Sequence, residues 1–338
     1  MRMRKLLSGD SSIPTVAQAA RHTLTRRELV IGASAALASC SHQPARPLPN
    51  VSIVRQANYD QTLYDSVRRL LASHKLNVRG KRVVLKPNLV EFDPAAAINT
   101  HPLLVHAALE AFRSMDAAEV RIAEGPGHRR ITLDLAEAAG YFRAVGSFDS
   151  VFTDLNLDEI TRVRLKRPIS KLSTVYLPNT ALQCDLLVSM PKMKTHHWVG
   201  ATLSMKNLFG LIPGGVYGWP KNVLHWAGIN ESIVDLHRAF PNTFAIVDGI
   251  DGMEGNGPIQ GARKHVGVLV AGDNLPAVDA TCCRIMGIDP HKIGYLQMSV
   301  SAADLAEQNI LQSAEAIQSV RTSFQLLPDF HYIRLGGA

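Results

Sequence analysis

From residue 51 onward, short β-branched and aliphatic runs alternate with longer segments whose apolar positions recur every three or four residues. "VSIVR" (51–55) is followed by a helical pattern near 60–75, "KRVVLKPN" (81–88) by one near 101–115, and "EVRIAEG" (119–125) by one near 131–140. The rhythm resumes with "DLLVSM" (185–190), "TFAIVDG" (243–249) and "HVGVLVAG" (265–272), and helices are expected near 229–240, 275–286 and 301–321. Strand and helix in turn predict an α/β fold, a mostly parallel sheet flanked by helices. Two stretches break the alternation. "TRVRLKRPISKLSTVYLP" (161–178) has two extended runs around "KRPIS" and predicts an inserted β-hairpin at an edge. The segment 207–229, rich in glycine, proline and aromatic residues, predicts a long lid or a packed surface loop.

In parallel α/β sheets, ligands bind outside the carboxyl ends of the strands. Five of the apolar runs end in charged or amide side chains beside Gly or Pro. Lys86 and Asn88 follow the first of these, Glu124 the second, and Lys192, Lys194 and His196 the third. Asp248 and Glu254 follow the fourth, within "DGIDGMEGNGP", and "DN" follows the fifth, with Asp279 a little further on. Together they predict one convergent polar site.

The residue types suggest its chemistry. Lysines neutralise phosphate or carboxylate groups, and crowded lysines depress one another's pKa, so that one can serve as base or nucleophile. Lys192, Lys206 and His196 are therefore the candidate catalytic residues, and Lys86, Asn88, Lys194, Asn207 and Gly257 the candidate ligand-binding ones. Glu124, Asp248 and Glu254, with His196 or His225, have the atoms to hold a divalent cation. Plainer readings stand beside these. Lys192 and Lys194 would form a solvated edge, Asp248 and Glu254 would shape a glycine-rich turn, and Asp279 would pair with a lysine or cap a helix. His197, next to Trp198, reads as a packed aromatic, and His106 as a core or interface histidine. "EGPGHRR" lacks the spacing of a phosphate-binding glycine fingerprint.

The N-terminus reads as an address. "TRRELVIGASAALASC" (25–40) has paired arginines, Arg26 and Arg27, and an apolar run from Leu29 to Ser39 too short to span a bilayer comfortably. It resembles a twin-arginine export signal, departing from the usual pattern at Glu28 and Leu29. "LASC" resembles a lipobox, which makes Cys40 the lipidated first residue of the mature chain. The expected organisation is an export signal over 1–39, a proline-rich tether over 40–50 and a single α/β domain over 51–338. The whole chain carries +7, and +4 of it lies in residues 1–39, which leaves the mature protein at +3. That mild charge weakens the case for nucleic acid as a partner. Cys184, Cys282 and Cys283 form no metal or disulfide pattern and read as buried thiols.

"VVLKPNLV", "MPKMKTH", "LSMKNLFGLIPG", "IVDGIDGMEGNGP" and "GDNLPAVDATCCRIMGIDP", in that order, resemble the bacterial and archaeal domain of unknown function 362 family. The likeness runs from about residue 51 to 300, and its elements fall on the strand-end set, with His225 a weaker match. Some members carry fused ferredoxin-like modules, but this sequence lacks the cysteines that would hold an iron-sulfur cluster. The expected function is a periplasmic, membrane-anchored lipoprotein enzyme. It would bind a small anionic ligand with its lysines, and a divalent cation with its carboxylates. The alternative is a non-catalytic module that holds a cofactor or meets a redox partner. Expected partners are the export machinery and, through Cys40, the membrane.

Overall fold

The β-branched runs form the middle of one sheet, and alternation along each decides which residue faces which helix layer. The computed structural model describes residues 47–128 and 130–336. The expected export signal over 1–39 and Cys40 lie outside them. From Leu48 onward the described chain is one compact unit.

The strands are β1 (Asn50–Arg55), β2 (Arg82–Pro87), β3 (Glu119–Glu124), β4 (Phe152–Asp154), β5 (Ile160–Arg164), β6 (Thr174–Pro178), β7 (Leu186–Met190), β8 (Lys192–His196), β9 (Gly200–Thr202), β10 (Thr243–Glu254), β11 (Ala262–Gly272) and β12 (Leu311–Ala314). The main sheet has the order β12-β1-β11-β10-β7-β2-β3-β4. Its central run, β10-β7-β2-β3-β4, is parallel throughout. The predicted hairpin is present as a separate two-stranded sheet, β5 against β6.

The longer helices are α1 (Leu63–Ala72), α2 (Pro102–Arg113), α3 (Thr132–Ala138), α4 (Ile229–Ala239) and α5 (Leu275–Ile285). Side chains alternate across a strand, so Val83 and Leu85 pack with Val67, Leu104 and Leu135 of α1–α3, while Val84 packs with Ile233 and Val278 of α4 and α5. Two layers of helices thus enclose the sheet.

Three expectations change. β11 runs antiparallel to both β10 and β1, with Gly272 opposite Ala245. The "DN" after it therefore lies toward the amino end of β10, away from the other strand ends, and Asn274 caps α5 by accepting from Ala277 N–H. The helix expected over 301–321 is broken. A capping box at Ser301 and Asp304 starts only the short helix Ala302–Leu305, and the chain then pairs as β12 along the edge of β1. Edge pairing supplies hydrogen bonds that local helical periodicity cannot outbid. Finally, Asn50, read as the end of the tether, is the first residue of β1.

Candidate functional site

The lysine-rich segment after β7 is itself a strand. Asp248 N–H bonds to Pro191 O, and β8 then runs parallel to the second half of β10, with Lys192 opposite Asp248 and Lys194 opposite Met253. Alternation sends Met193 into the core and leaves Lys192 and Lys194 sharing the other side. Both lysines are buried, which removes the solvated-edge reading.

Lys192 is held in a closed network. Its Nζ lies 2.7 Å from Asp248 Oδ2 and 2.9 Å from the Tyr59 hydroxyl. That hydroxyl donates to Asp248 Oδ1 at 2.8 Å and accepts from Asp251 N–H. His101 N–H completes the Asp248 carboxylate at 2.9 Å, and the Tyr59 and His101 rings stack with centroids 3.8 Å apart. Burial, and then the Asp248 charge, push the Tyr59 phenol up, so it stays protonated. Burial also brings the His101 imidazole down to about 4. This network borders an open groove of about 520 Å³ that Arg143 and Arg263 also line.

Lys86 and Glu124, at the ends of β2 and β3, form a second pair at 2.8 Å. Lys86 also donates to Pro87 O, and Asn207 bridges the pair to β7 by donating to Lys86 O and Ser189 Oγ, each at 3.1 Å. Glu124 accepts from Leu89 N–H and Gly125 N–H as well. A Cβ on Gly210 would land on this pair, so glycine is required where the 208–211 turn crosses it.

Lys194 donates to three neutral oxygens: Asn88 Oδ1 at 2.7 Å, Ile98 O at 2.9 Å and Pro258 O at 3.1 Å. Burial pushes its pKa well down, and the charges of Lys192 and Lys206 add to the effect.

These groups surround a small cavity of about 120 Å³. Lys194, His196, Thr202, Lys206, Lys221 and His225 supply its polar wall, and Phe209, Pro220 and Leu224 its apolar one. The Lys206 ammonium sits 3.8 Å from the centre of the Phe209 ring, within cation–π range. It has no carboxylate within ion-pair distance among the described residues. Burial, followed by the Lys86 charge, lowers its pKa to about 7. Lys221 adopts a left-handed conformation (φ 63°) and donates to Gly125 O at 2.7 Å; burial brings it to about 7 as well. His196 Nδ1 accepts from Trp198 N–H at 3.0 Å, so the neutral ring carries its proton on Nε2. Burial, then Lys206, keep that ring neutral. Thr202 Oγ1 and His225 Nδ1 are buried without a hydrogen-bond partner among the described residues.

Asp279 holds the segment that carries Lys206 and Asn207. It accepts from Ser204 N–H at 2.8 Å, Ser204 Oγ at 2.5 Å and Met205 N–H at 3.1 Å, capping the short helix Ser204–Asn207. This is the helix-capping alternative read from the sequence. Burial raises its carboxyl to about 7.

The structure thus brings Asn88, Glu124, Lys194, His196, Lys206 and Asn207 to one cavity, with Lys86 behind Glu124. Lys192 and Asp248 form the neighbouring network instead. Gly257 lies outside the cavity wall; a Cβ there would strike Thr195 O, and its carbonyl accepts from His197 N–H and Nδ1. His197 is thereby fixed in packing, as expected.

The three carboxylates read as metal ligands do not converge. Glu124 is paired with Lys86, Asp248 with Lys192, and Glu254 accepts from Gln325 N–H and faces Lys264 at 3.6 Å. Among the described residues, no three His, Cys, Asp or Glu side chains gather as a metal group. The residues present therefore do not fit the divalent cation expected from the sequence.

Lys221, Thr202 and Tyr59 escaped the sequence reading. Lys221 had one usable cue, a cation inside an otherwise apolar, glycine-rich loop, but Thr202 and Tyr59 had none.

Residues 83–284 match the family described as "Domain of unknown function (DUF362)". The chain belongs to this family. The DUF362 match spans β2 through α5, and so covers every lysine of the cavity. A relative, the thylakoid-associated protein sll1697 of Synechocystis sp., is 28% identical over 258 residues, which is 72% of this chain and 76% of the relative. Among solved structures, the lactate racemase apoprotein from Thermoanaerobacterium thermosaccharolyticum aligns with a TM-score of 0.45 at 14% identity, over 72% of this chain and 58% of that one.

Proposed function

We propose that this DUF362 protein is an enzyme that binds a small anionic molecule in the lysine-lined cavity and moves protons on it. One observation carries the reading. Lys206 is half-buried and, among the described residues, has no carboxylate partner, in a wall whose one carboxylate, Glu124, is already paired with Lys86. A carboxylate or phosphate placed among Lys194, Lys206 and Lys221 would supply the missing charge, and Asn88 and Thr202 would orient it. Lys206 at about 7 is poised to exchange a proton near neutral pH, and His196 offers Nε2–H as the acid. The cavity is smaller than the roughly 300–1,000 Å³ of drug-sized sites, which favours a small metabolite or the anionic end of a larger one.

An anion raises the pKa of the lysines around it, so binding near pH 7.5 should take up protons. Calorimetry with inorganic phosphate and with oxalate, in buffers of different ionisation enthalpy, measures that uptake. Lys206→Met and Lys194→Met should each weaken binding roughly 10- to 100-fold, the worth of one charge-assisted hydrogen bond. Binding without proton uptake, or undiminished in both variants, would overturn the reading.

The export reading extends this proposal. Arg26, Arg27 and Cys40 support a twin-arginine lipoprotein whose domain works on the periplasmic side, tethered to the membrane. Cys40→Ala should abolish labelling by a fatty acid and release the protein from the membrane fraction. Retention on the membrane without a lipid would reject it.

A further inference from the structure

The cavity wall and the layer behind it hold two kinds of lysine. Lys86, Lys194 and Lys221 each donate to fixed oxygens, respectively Glu124, Asn88 with two carbonyls, and Gly125 O. They are spent on holding the wall and setting its charge. Lys206 donates to no oxygen among the described residues and rests on the face of Phe209. A lysine needed only for its charge would be expected to reach the same kind of acceptor as its neighbours.

The rest of the wall carries groups able to donate or accept a proton. His196 is turned by Trp198 N–H so that Nε2 is its protonated nitrogen. Thr202 is 5% exposed, and its Oγ1, like His225 Nδ1, is buried with no hydrogen-bond partner among the described residues. Lys206, His196 and His225 line the same small cavity, and the Phe209 ring under Lys206 meets the His225 ring edge-on with centroids 5.8 Å apart.

We infer that Lys206 is a Schiff-base nucleophile and that its substrates are small anionic aldehydes or ketones, with 2-oxo acids as the simplest class. This deepens the proposed function and rests on it. Lys194 and Lys221 hold the anionic group, and Lys206 Nζ adds its lone pair to the carbonyl carbon. The C=O π pair moves to oxygen, which takes a proton from His196 Nε2. Nitrogen then loses its two hydrogens in turn, one restoring His196 and one leaving with the oxygen as water, so that a C=N bond replaces C=O with no change of oxidation state. Once protonated, the imine draws electrons from the neighbouring carbon and eases removal of a proton there.

The test is reductive trapping on the full chain. Protein is incubated with glyoxylate and cyanoborohydride, and peptides are mapped by mass. The expected result is a carboxymethyl group on Lys206, formed at pH 7 roughly a hundredfold faster than on surface lysines, which are almost wholly protonated there. Lys206→Met should lose that adduct while keeping its melting temperature. Adducts confined to surface lysines would overturn the inference. Phosphate calorimetry on the same preparation separates the two readings: phosphate binding without a Lys206 adduct overturns the Schiff base alone, and the absence of both overturns the anion site as well.

Discussion

Lys86 Nζ and Glu124 Oε1, carried by adjacent parallel strands, meet at 2.8 Å with both side chains out of contact with solvent. A buried pair of this kind adds little net stability compared with apolar residues, but losing one partner leaves an uncompensated charge. Glu124 is further tied to two backbone N–H groups, and Lys86 to Asn207, so the pair forms the floor on which the cavity rests.

Lys86→Met should therefore destabilise the protein by about 3–5 kcal/mol, and Lys86→Met with Glu124→Gln by clearly less. Urea unfolding of the two variants measures the difference. Equal losses would mean that the pair is not coupled.

The Lys192–Asp248 network predicts a contrast with Lys206. Asp248→Asn leaves Lys192 without its counter-charge and should cost about 3–5 kcal/mol. Tyr59→Phe should cost about 1–2 kcal/mol and leave phosphate affinity unchanged, because Tyr59 lies outside the cavity wall. Lys206→Met should be no less stable than the parent. Thermal melts and calorimetry together sort these outcomes. A phosphate-binding defect in Tyr59→Phe would show that the groove and the cavity act as one site.

Stability should depend on pH in a defined direction. Lys206 and Lys221 have folded pKa values of about 7, against roughly 10.4 in the unfolded chain. Between those values the unfolded chain binds more protons, so the contribution of these groups to stability rises as the pH goes from 7 toward 10. Urea midpoints at pH 7, 8 and 9 should rise less steeply in Lys206→Met, and less steeply in the parent when phosphate is saturating. Identical slopes with and without Lys206 would contradict the assignment.

Asp279 is a positioning residue. Asp279→Ala removes three hydrogen bonds from the start of the Ser204–Asn207 helix and should cost about 1–3 kcal/mol. By loosening the segment that carries Lys206, it should also weaken phosphate binding. Asp279→Asn, which can still accept from the backbone, should recover most of the affinity. No recovery would point to a need for the carboxylate charge itself.

The sequence by itself determined the central strands, the helices from 63 to 113 and from 229 to 285, and the family. Period-2 and period-3.6 patterns are local, and burying their apolar faces fixes the element type. It also marked Lys86, Asn88, Glu124, Lys194, His196, Lys206 and Asn207, because strand ends next to glycine or proline can be read without knowing strand order. Strand direction was decided only by tertiary pairing. β11 has the same composition whether it runs with or against β10, and its antiparallel course moved the "DN" end away from the site. Residues 311–314 became an edge strand for the same reason, since β1 offered them hydrogen bonds. Charge pairing was likewise invisible in one dimension. Lys192 and Lys206 look alike along the chain, but the fold gives Lys192 a carboxylate at 2.7 Å and, among the described residues, sets Lys206 against the face of Phe209 with no counter-ion. Burial drives Lys206, which has no counter-ion among the described residues, toward its neutral, reactive form.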